Sequence, residues 1–215
     1  MKKTNIFFKI AFIFISLLFS LLLSFNIVLK IKQLYYFEIY NLNINKLSNL
    51  SIESIKTNYD YIINYLSNNS YVNFKLPNLP SSKEGIIHFE EVKNIFTILT
   101  YLFYICTITL IFFYYSIIKN KDFYIIKLCS KFLLTLPLIL ITILVINFNK
   151  TFTLFHKITF GNNYWIFDPE KDPVINILPI EFFLHCSLII LLITILQGIL
   201  LFIIYKSLNK KSNLK

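Results

Sequence analysis

LHCSLIILLITILQGILLFIIY, residues 184–205, contains no Asp, Glu, Lys or Arg. A run of that kind reads as a membrane-spanning helix, because about 20 apolar residues at ~1.5 Å each cross the hydrocarbon of a bilayer. Three further stretches qualify or nearly qualify: Ile6–Val28, whose one charge is Lys9, Ile95–Ile118 and Phe132–Phe148. The third is short and holds Pro137, so its helix is expected to begin earlier, near Ile125. Of 215 residues, 56% are hydrophobic and 15% charged, which excludes a soluble globule. The expectation is one polytopic membrane domain, 1–215, with spans near 6–28, 95–118, 132–148 and 184–205 and outer loops at 30–94 and 149–183.

The formal charge of +10 would suggest a nucleic-acid partner if it were spread over a soluble surface. Its distribution argues otherwise. Lys2, Lys3 and Lys9 open the first span, Lys119, Lys121, Lys127 and Lys131 lie between the second and third, and Lys206, Lys210, Lys211 and Lys215 follow the fourth. Against these stands one acid, Asp122, whereas lysines and acids balance in the two outer loops. The positive-inside rule then places both termini in the cytoplasm and both balanced loops outside. The first span follows Met-Lys-Lys as a signal peptide would, but its core is longer than the usual ~7–15 residues, so it reads as an uncleaved anchor. Cys106, Cys129 and Cys186 lie in or beside spans, with neither metal-ligand spacing nor a place to staple the loops.

The first outer loop is too long to be a plain connector. LYYFEIYNLNI (34–44) and YVNFKLP (71–77) suggest strands. Ser51–Ser67 spaces Ile52, Ile55, Tyr59, Ile62 and Leu66 as an amphipathic helix would, lying on the interface. The expected fold is therefore membrane α-helical, with four transmembrane helices and a small mixed α/β extracytoplasmic cap. Ser81 and Glu84 form a capping-box pattern, so a helix is expected to start there and run into the second span. On it Glu84, His88 and Glu91 share one face. That spacing also suits a solvated juxtamembrane turn with an incidental histidine.

No familiar catalytic motif is present, neither G-x-S-x-G, Walker loop nor H-E-x-x-H. The titratable candidates are His88, His156 and His185 with Glu84, Glu91, Asp168 and Glu181, all at the outer edge of a span. His185 follows Phe182, Phe183 and Leu184, a context in which histidine more often anchors at the interface than catalyses. The segment FHKITFGNNYWIFDP (155–169) gathers a histidine, the single tryptophan and an Asp-Pro pair. Its turn and aromatics suggest a hairpin or re-entrant element at the lipid surface. Periodicity names no substrate.

Taken together, EGIIHFEEVKNIF (84–96), FHKITFGNNYWIFDP and VINILPIEFF (174–183) resemble the bacterial lipoprotein intramolecular transacylase family, small four-span proteins. Glu91 departs conservatively from the Asp expected before Val-Lys. The resemblance implies a cofactor-free reaction that moves the sn-2 acyl chain of a lipoprotein's diacylglyceryl cysteine to that cysteine's α-amino group. It also implies His88 and His156 as the catalytic pair, Glu84, Trp165 and Asp168 as supporting positions, lipoproteins and membrane lipid as partners, and a monomer. Two other readings remain: a noncatalytic membrane scaffold, and an outer-face metalloenzyme using the same histidines with a carboxylate.

The lysine asymmetry predicts that single cysteines placed at Asn69 or Asn162 are labelled from outside intact cells by an impermeant thiol reagent. Protection of both would overturn the topology.

Overall fold

The structure, a computed structural model, describes residues 5–68 and 73–213. Among them it is all helix: α1 (Ile6–Lys30), α2 (Lys32–Asn41), α3 (Ile44–Ser48), α4 (Ile52–Ser67), α5 (Lys83–Asn120), α6 (Tyr124–Ile146), α7 (Phe148–Thr159), α8 (Val174–Ile177) and α9 (Ile180–Asn213). α1, α5, α6 and α9 are long and apolar enough to cross a membrane. At ~1.5 Å per residue the 38-residue α5 outruns a hydrocarbon core of ~30 Å. Its first turns carry Glu84, Glu90, Glu91 and Lys93, ahead of the charge-free 95–118 stretch in which the span is expected.

No strand occurs among the described residues, which corrects the expected mixed α/β cap. LYYFEIYNLNI is α2 followed by α3. Its buried positions, Tyr35, Glu38 and Ile39, fall at i, i+3 and i+4, a helical stripe that the polar Glu38 hides from a hydrophobicity count. Tertiary burial outweighed the β propensity of the aromatics. Asn43 and Asn49 bracket α3 in the left-handed region (φ 51° and 55°), where asparagine is better tolerated than most residues. Of YVNFKLP, residues 71–72 lie outside the described set; Phe74 and Leu76 are buried without forming a strand.

The chain divides into two compact units. One comprises Met1–Ile27, Thr100–Val145 and Leu188–Lys215. Its core gathers Phe12, Ile117, Ile125, Cys129 and Leu133, and the Cβ of Leu133 packs where a side chain on Gly198 would stand. α1 and α9 share a polar contact: Ser24 Oγ lies 3.0 Å from Thr194 Oγ1, and Gln197 Nε2 donates to Ser24 Oγ at 2.9 Å. Such pairing satisfies polar groups that lipid cannot. Ile105, Ile108, Ile111 and Phe112 stay 57–69% exposed, as expected of side chains whose solvent is lipid.

The other unit comprises Val28–Leu99 and Ile146–Ser187 and has its own aromatic core. Tyr35 and Tyr59 stack with centroids 3.6 Å apart, Phe182 meets Tyr35 edge-on, and Tyr35 Oη donates to the Ile177 carbonyl at 2.6 Å. α4 forms where its spacing predicts, capped by Ser51 Oγ accepting from Ser54 N. Its apolar face (Ile55, Tyr59, Ile62, Tyr65) is buried in that core instead of facing lipid.

The start of α5 departs by one residue from the expected capping box. Ser82 is the N-cap: its Oγ accepts from Gly85 N at 2.9 Å, while Ser81 Oγ is buried and unpaired. Asp172, 4% exposed, accepts from Ser82 N (2.8 Å) and Ser82 Oγ (2.6 Å). Its carboxylate occupies the space that a Cβ on Gly85 would need. Alanine in a helix normally stabilises by up to ~1 kcal/mol over glycine. Here Gly85→Ala is expected to destabilise by about 1–3 kcal/mol through overpacking, read as a lowered thermal midpoint in detergent. A raised midpoint would refute the close approach.

Candidate active site

His88 lies on the second turn of α5 and His156 on the last turns of α7, with 68 positions between them in sequence. α7 starts at the N-cap Asn147, whose side chain accepts from Lys150 N at 2.9 Å. It ends when Phe160 adopts an extended conformation, its N–H still donating to the His156 carbonyl at 2.8 Å. The stretch expected to be an outer loop thus delivers its histidine from a helix. The two imidazoles face each other with centroids 6.1 Å apart and planes inclined by 35°.

Aromatic rings enclose them. Phe160 and Phe167 meet the His88 ring edge-on at 4.7 and 5.5 Å, while Phe152 and Trp165 approach His156 at 4.1 and 4.9 Å. His88 is only 7% exposed, and its Nδ1 is buried with no hydrogen-bond partner. Burial, with the nearby His156 adding to it, pushes the His88 pKa down to about 4. Burial also lowers that of His156, opposed by the bond of its Nδ1 to the Phe152 carbonyl at 2.8 Å. A carbonyl oxygen only accepts, so that bond places the proton of neutral His156 on Nδ1 and leaves the Nε2 lone pair free. Both rings are thus uncharged at pH 7, and one presents a defined basic nitrogen.

The supporting positions fall into different surroundings. Trp165 is half-buried, its Nε1 donating to the Asn162 carbonyl at 3.1 Å. Asn162 also donates from Nδ2 to Glu91 Oε1 at 2.7 Å and accepts from Tyr164 N at 3.0 Å, so it ties the 161–165 turn to α5. Glu84 is exposed and no hydrogen bond joins it to His88; it lines a cleft with Ser82, Tyr164, Asp168 and Lys171. Asp168 shapes the following turn, accepting from Glu170 N at 3.1 Å and approaching Lys171 Nζ at 3.6 Å. Its carbonyl accepts from Asp172 N at 2.7 Å. His185 stands apart from the pair, its Nδ1 3.0 Å from Oε1 of the buried Glu38. That approach has the distance but not the angle of a hydrogen bond.

Among the described residues, no three His, Cys, Asp or Glu side chains converge on a common point. Sequence reasoning missed Asp172, Asn162, Phe160 and Phe167. One signal was available: Gly85, one of only three glycines in the chain, sits in the first turn of a helix, where close approach of another group is the ordinary reason.

The sequence matches the lipoprotein intramolecular transacylase family, Lit, over residues 10–183. No curated protein matches. Among solved structures, the membrane integral lipoprotein intramolecular transacylase Lit from Bacillus cereus is 37% identical, with a TM-score of 0.92 over 97% of each chain. Two variants of that protein, with a histidine replaced by alanine or by arginine, match at 36% and 38% identity and TM-scores of 0.87 and 0.84. Each match covers 97% of this chain, and 95% and 93% of the two variants respectively.

The buried neutral state of His88 sets a pH dependence. Its folded pKa of about 4 lies below the ~6.5 of an unfolded chain. Between those values the unfolded state binds more protons, so stability is full above about pH 6.5 and declines as pH falls toward 4. The expected loss is up to about 3 kcal/mol, seen as a falling thermal midpoint in detergent. His88→Leu should flatten that decline; an unchanged slope would count against burial of the neutral ring.

Proposed function

This chain belongs to the lipoprotein intramolecular transacylase family, and we propose from that premise that His88 and His156 carry its acyl transfer. The acyl chain leaves the sn-2 oxygen of the diacylglyceryl group on a lipoprotein's N-terminal cysteine and joins that cysteine's α-nitrogen. The product is a lyso-form lipoprotein. The observation that carries the assignment is the pair of uncharged imidazoles 6.1 Å apart in a pocket of aromatic rings.

The bonds exchanged are one ester C–O for one amide C–N. The α-nitrogen sheds one proton to become a free amine and a second as the amide forms; the first goes to solvent and the second to the departing glyceryl oxygen. His156 Nε2, with its ring proton held on Nδ1 by Phe152, accepts the proton of the attacking amine and passes it to that oxygen. His88, neutral and desolvated, donates a ring N–H to the carbonyl oxygen as negative charge develops there, where the low dielectric strengthens the bond. Nucleophile and ester belong to one molecule. Holding the lipid therefore supplies effective concentrations of ~10⁵ M or more, and ester-to-amide exchange runs downhill without an external energy source.

The surroundings suit the substrate. Trp165 and Tyr164 offer amphipathic rings for headgroup depth, and Asn162 holds the turn on which they sit. Glu84 and Asp168 line the neighbouring cleft, where they would meet the polar peptide that follows the lipidated cysteine. The lysine distribution supports both termini in the cytoplasm and this site on the extracytoplasmic side.

Conversion of a diacylglyceryl lipopeptide to its N-acyl lyso form, followed by mass spectrometry, tests the pair. His88→Ala and His156→Ala should each lower turnover by roughly 10²–10⁴-fold. The double variant should fall little further, because groups acting as a unit are not additive. His185→Ala should reduce thermal stability by removing the imidazole beside buried Glu38, which then keeps the Asn41 amide, yet keep most turnover per folded molecule. Near-normal turnover by folded His156→Ala would remove it from the chemistry.

A further inference from the structure

Glu91 combines two states within one carboxylate. Its Oε1 is held by Asn162 Nδ2 at 2.7 Å, whereas its Oε2 is buried and has no hydrogen-bond partner. A buried acceptor left unpaired costs free energy, and an ionised one costs more. Each such group in a native structure calls for a physical explanation, and a ligand that completes it is one. Glu91 follows His88 by three positions on α5, so the two side chains share a face of the helix. His88 Nδ1 is likewise buried and unpaired. Two orphaned polar atoms one turn apart, beside the face-to-face histidines, define a place where a polar ligand group is missing.

The group that fits is a cation with N–H donors. Glu91 Oε2 offers an acceptor, and uncharged His88 neither repels a cation nor competes with it. The rings of Trp165, Phe160 and Phe167 around the pair supply π faces of the kind that favour ammonium groups. The substrate of the reaction above carries one such group. An α-amine of pKa near ~7.7–8.0 is mostly ammonium at pH 7. Its protonated form must be held beside the base before it can lose a proton and attack.

We propose that Glu91 is a substrate-binding residue that recognises the free α-ammonium of the lipidated cysteine. It thereby selects lipoproteins with an unmodified N-terminus and sets the nitrogen against His156. Asn162 makes this a positioned contact, because its amide grips the other carboxylate oxygen while its carbonyl holds Trp165, the ring lying on His156. The inference rests on the transacylase reading and adds to it the group that binds the nucleophile. It also accounts for an acid on the α5 face at a point where solvation alone would leave both oxygens wet.

The test uses the full-length protein in detergent and two non-transferable probes. Both are lipopeptides with ether-linked chains on the N-terminal cysteine; one has a free α-amine and the other an acetylated one. Wild type should bind the free-amine probe about tenfold or more tightly than the acetylated probe, as a charge-assisted contact would give. Glu91→Gln keeps an acceptor for Asn162 and removes the charge. It should lose most of that preference while binding the acetylated probe as wild type does, which also certifies its fold. With the ester substrate it should raise KM more than it lowers kcat, and Glu91→Asp should recover part of the preference. Equal binding of the two probes by wild type would overturn the proposal without any variant, as would a full preference retained by Glu91→Gln. Failure of wild type to convert the ester lipopeptide would instead sink the transacylase reading itself.

Discussion

A single buried carboxylate, that of Asp172, closes the N-terminus of α5. It takes both the backbone N–H and the hydroxyl of Ser82, and it stands near the positive end of the helix dipole, where an anion is favoured. Gly85 leaves it room. Everything on the first three turns of α5, His88 and Glu91 included, takes its direction from where that helix begins. The same carboxylate ends the 161–172 segment, which brings Trp165 onto His156 and Phe167 onto His88. One acceptor thus joins the start of α5, which carries His88, to the segment that follows the His156 helix. Burying an ionised carboxylate is costly without donors, and the Ser82 pair supplies them.

The chemistry then depends on dryness. Two imidazoles in water would each titrate near ~6.5 and spend part of their time charged. Surrounded by Phe152, Phe160, Phe167 and Trp165, both are held in the neutral form. The reaction needs a lone pair to receive a proton and an N–H to steady an oxyanion, and a neutral imidazole has one of each. Contrast His185, whose Nδ1 lies 3.0 Å from the buried carboxylate of Glu38, outside that aromatic enclosure, although sequence context alone would place all three histidines at similar depth.

The four spans were legible because crossing a bilayer is a one-dimensional requirement. Enough consecutive apolar residues satisfy it, and Leu184–Tyr205 meets it without reference to anything else in the chain. The α4 helix was legible for a similar reason, since Ile55, Tyr59 and Ile62 repeat at the period of a helix. The strand expected over 34–44 fails because its aromatics suit either secondary structure. The choice lay in what Tyr35 and Ile39 pack against, namely Tyr59 and Phe182 from distant parts of the chain. The one-residue slip at the α5 cap has the same origin: Ser81 and Ser82 are equivalent locally, and Asp172 selects the second.

The sequence by itself determined the membrane class, the four spans and the family pattern of Glu, His, Trp and Asp residues, since each is a matter of residue type and order along the chain. Tertiary structure alone decided which of those residues meet. His88 and His156 face each other, Trp165 covers one of them, and Glu84 and Asp168 open onto a neighbouring cleft. It also supplied Asp172, which only Gly85 foreshadows, together with Asn162 and the half-paired state of Glu91, which have no local signature. Their roles arise from hydrogen bonds between segments 71 to 90 positions apart, and a burial cost felt only at such a distance leaves no period or motif in the chain.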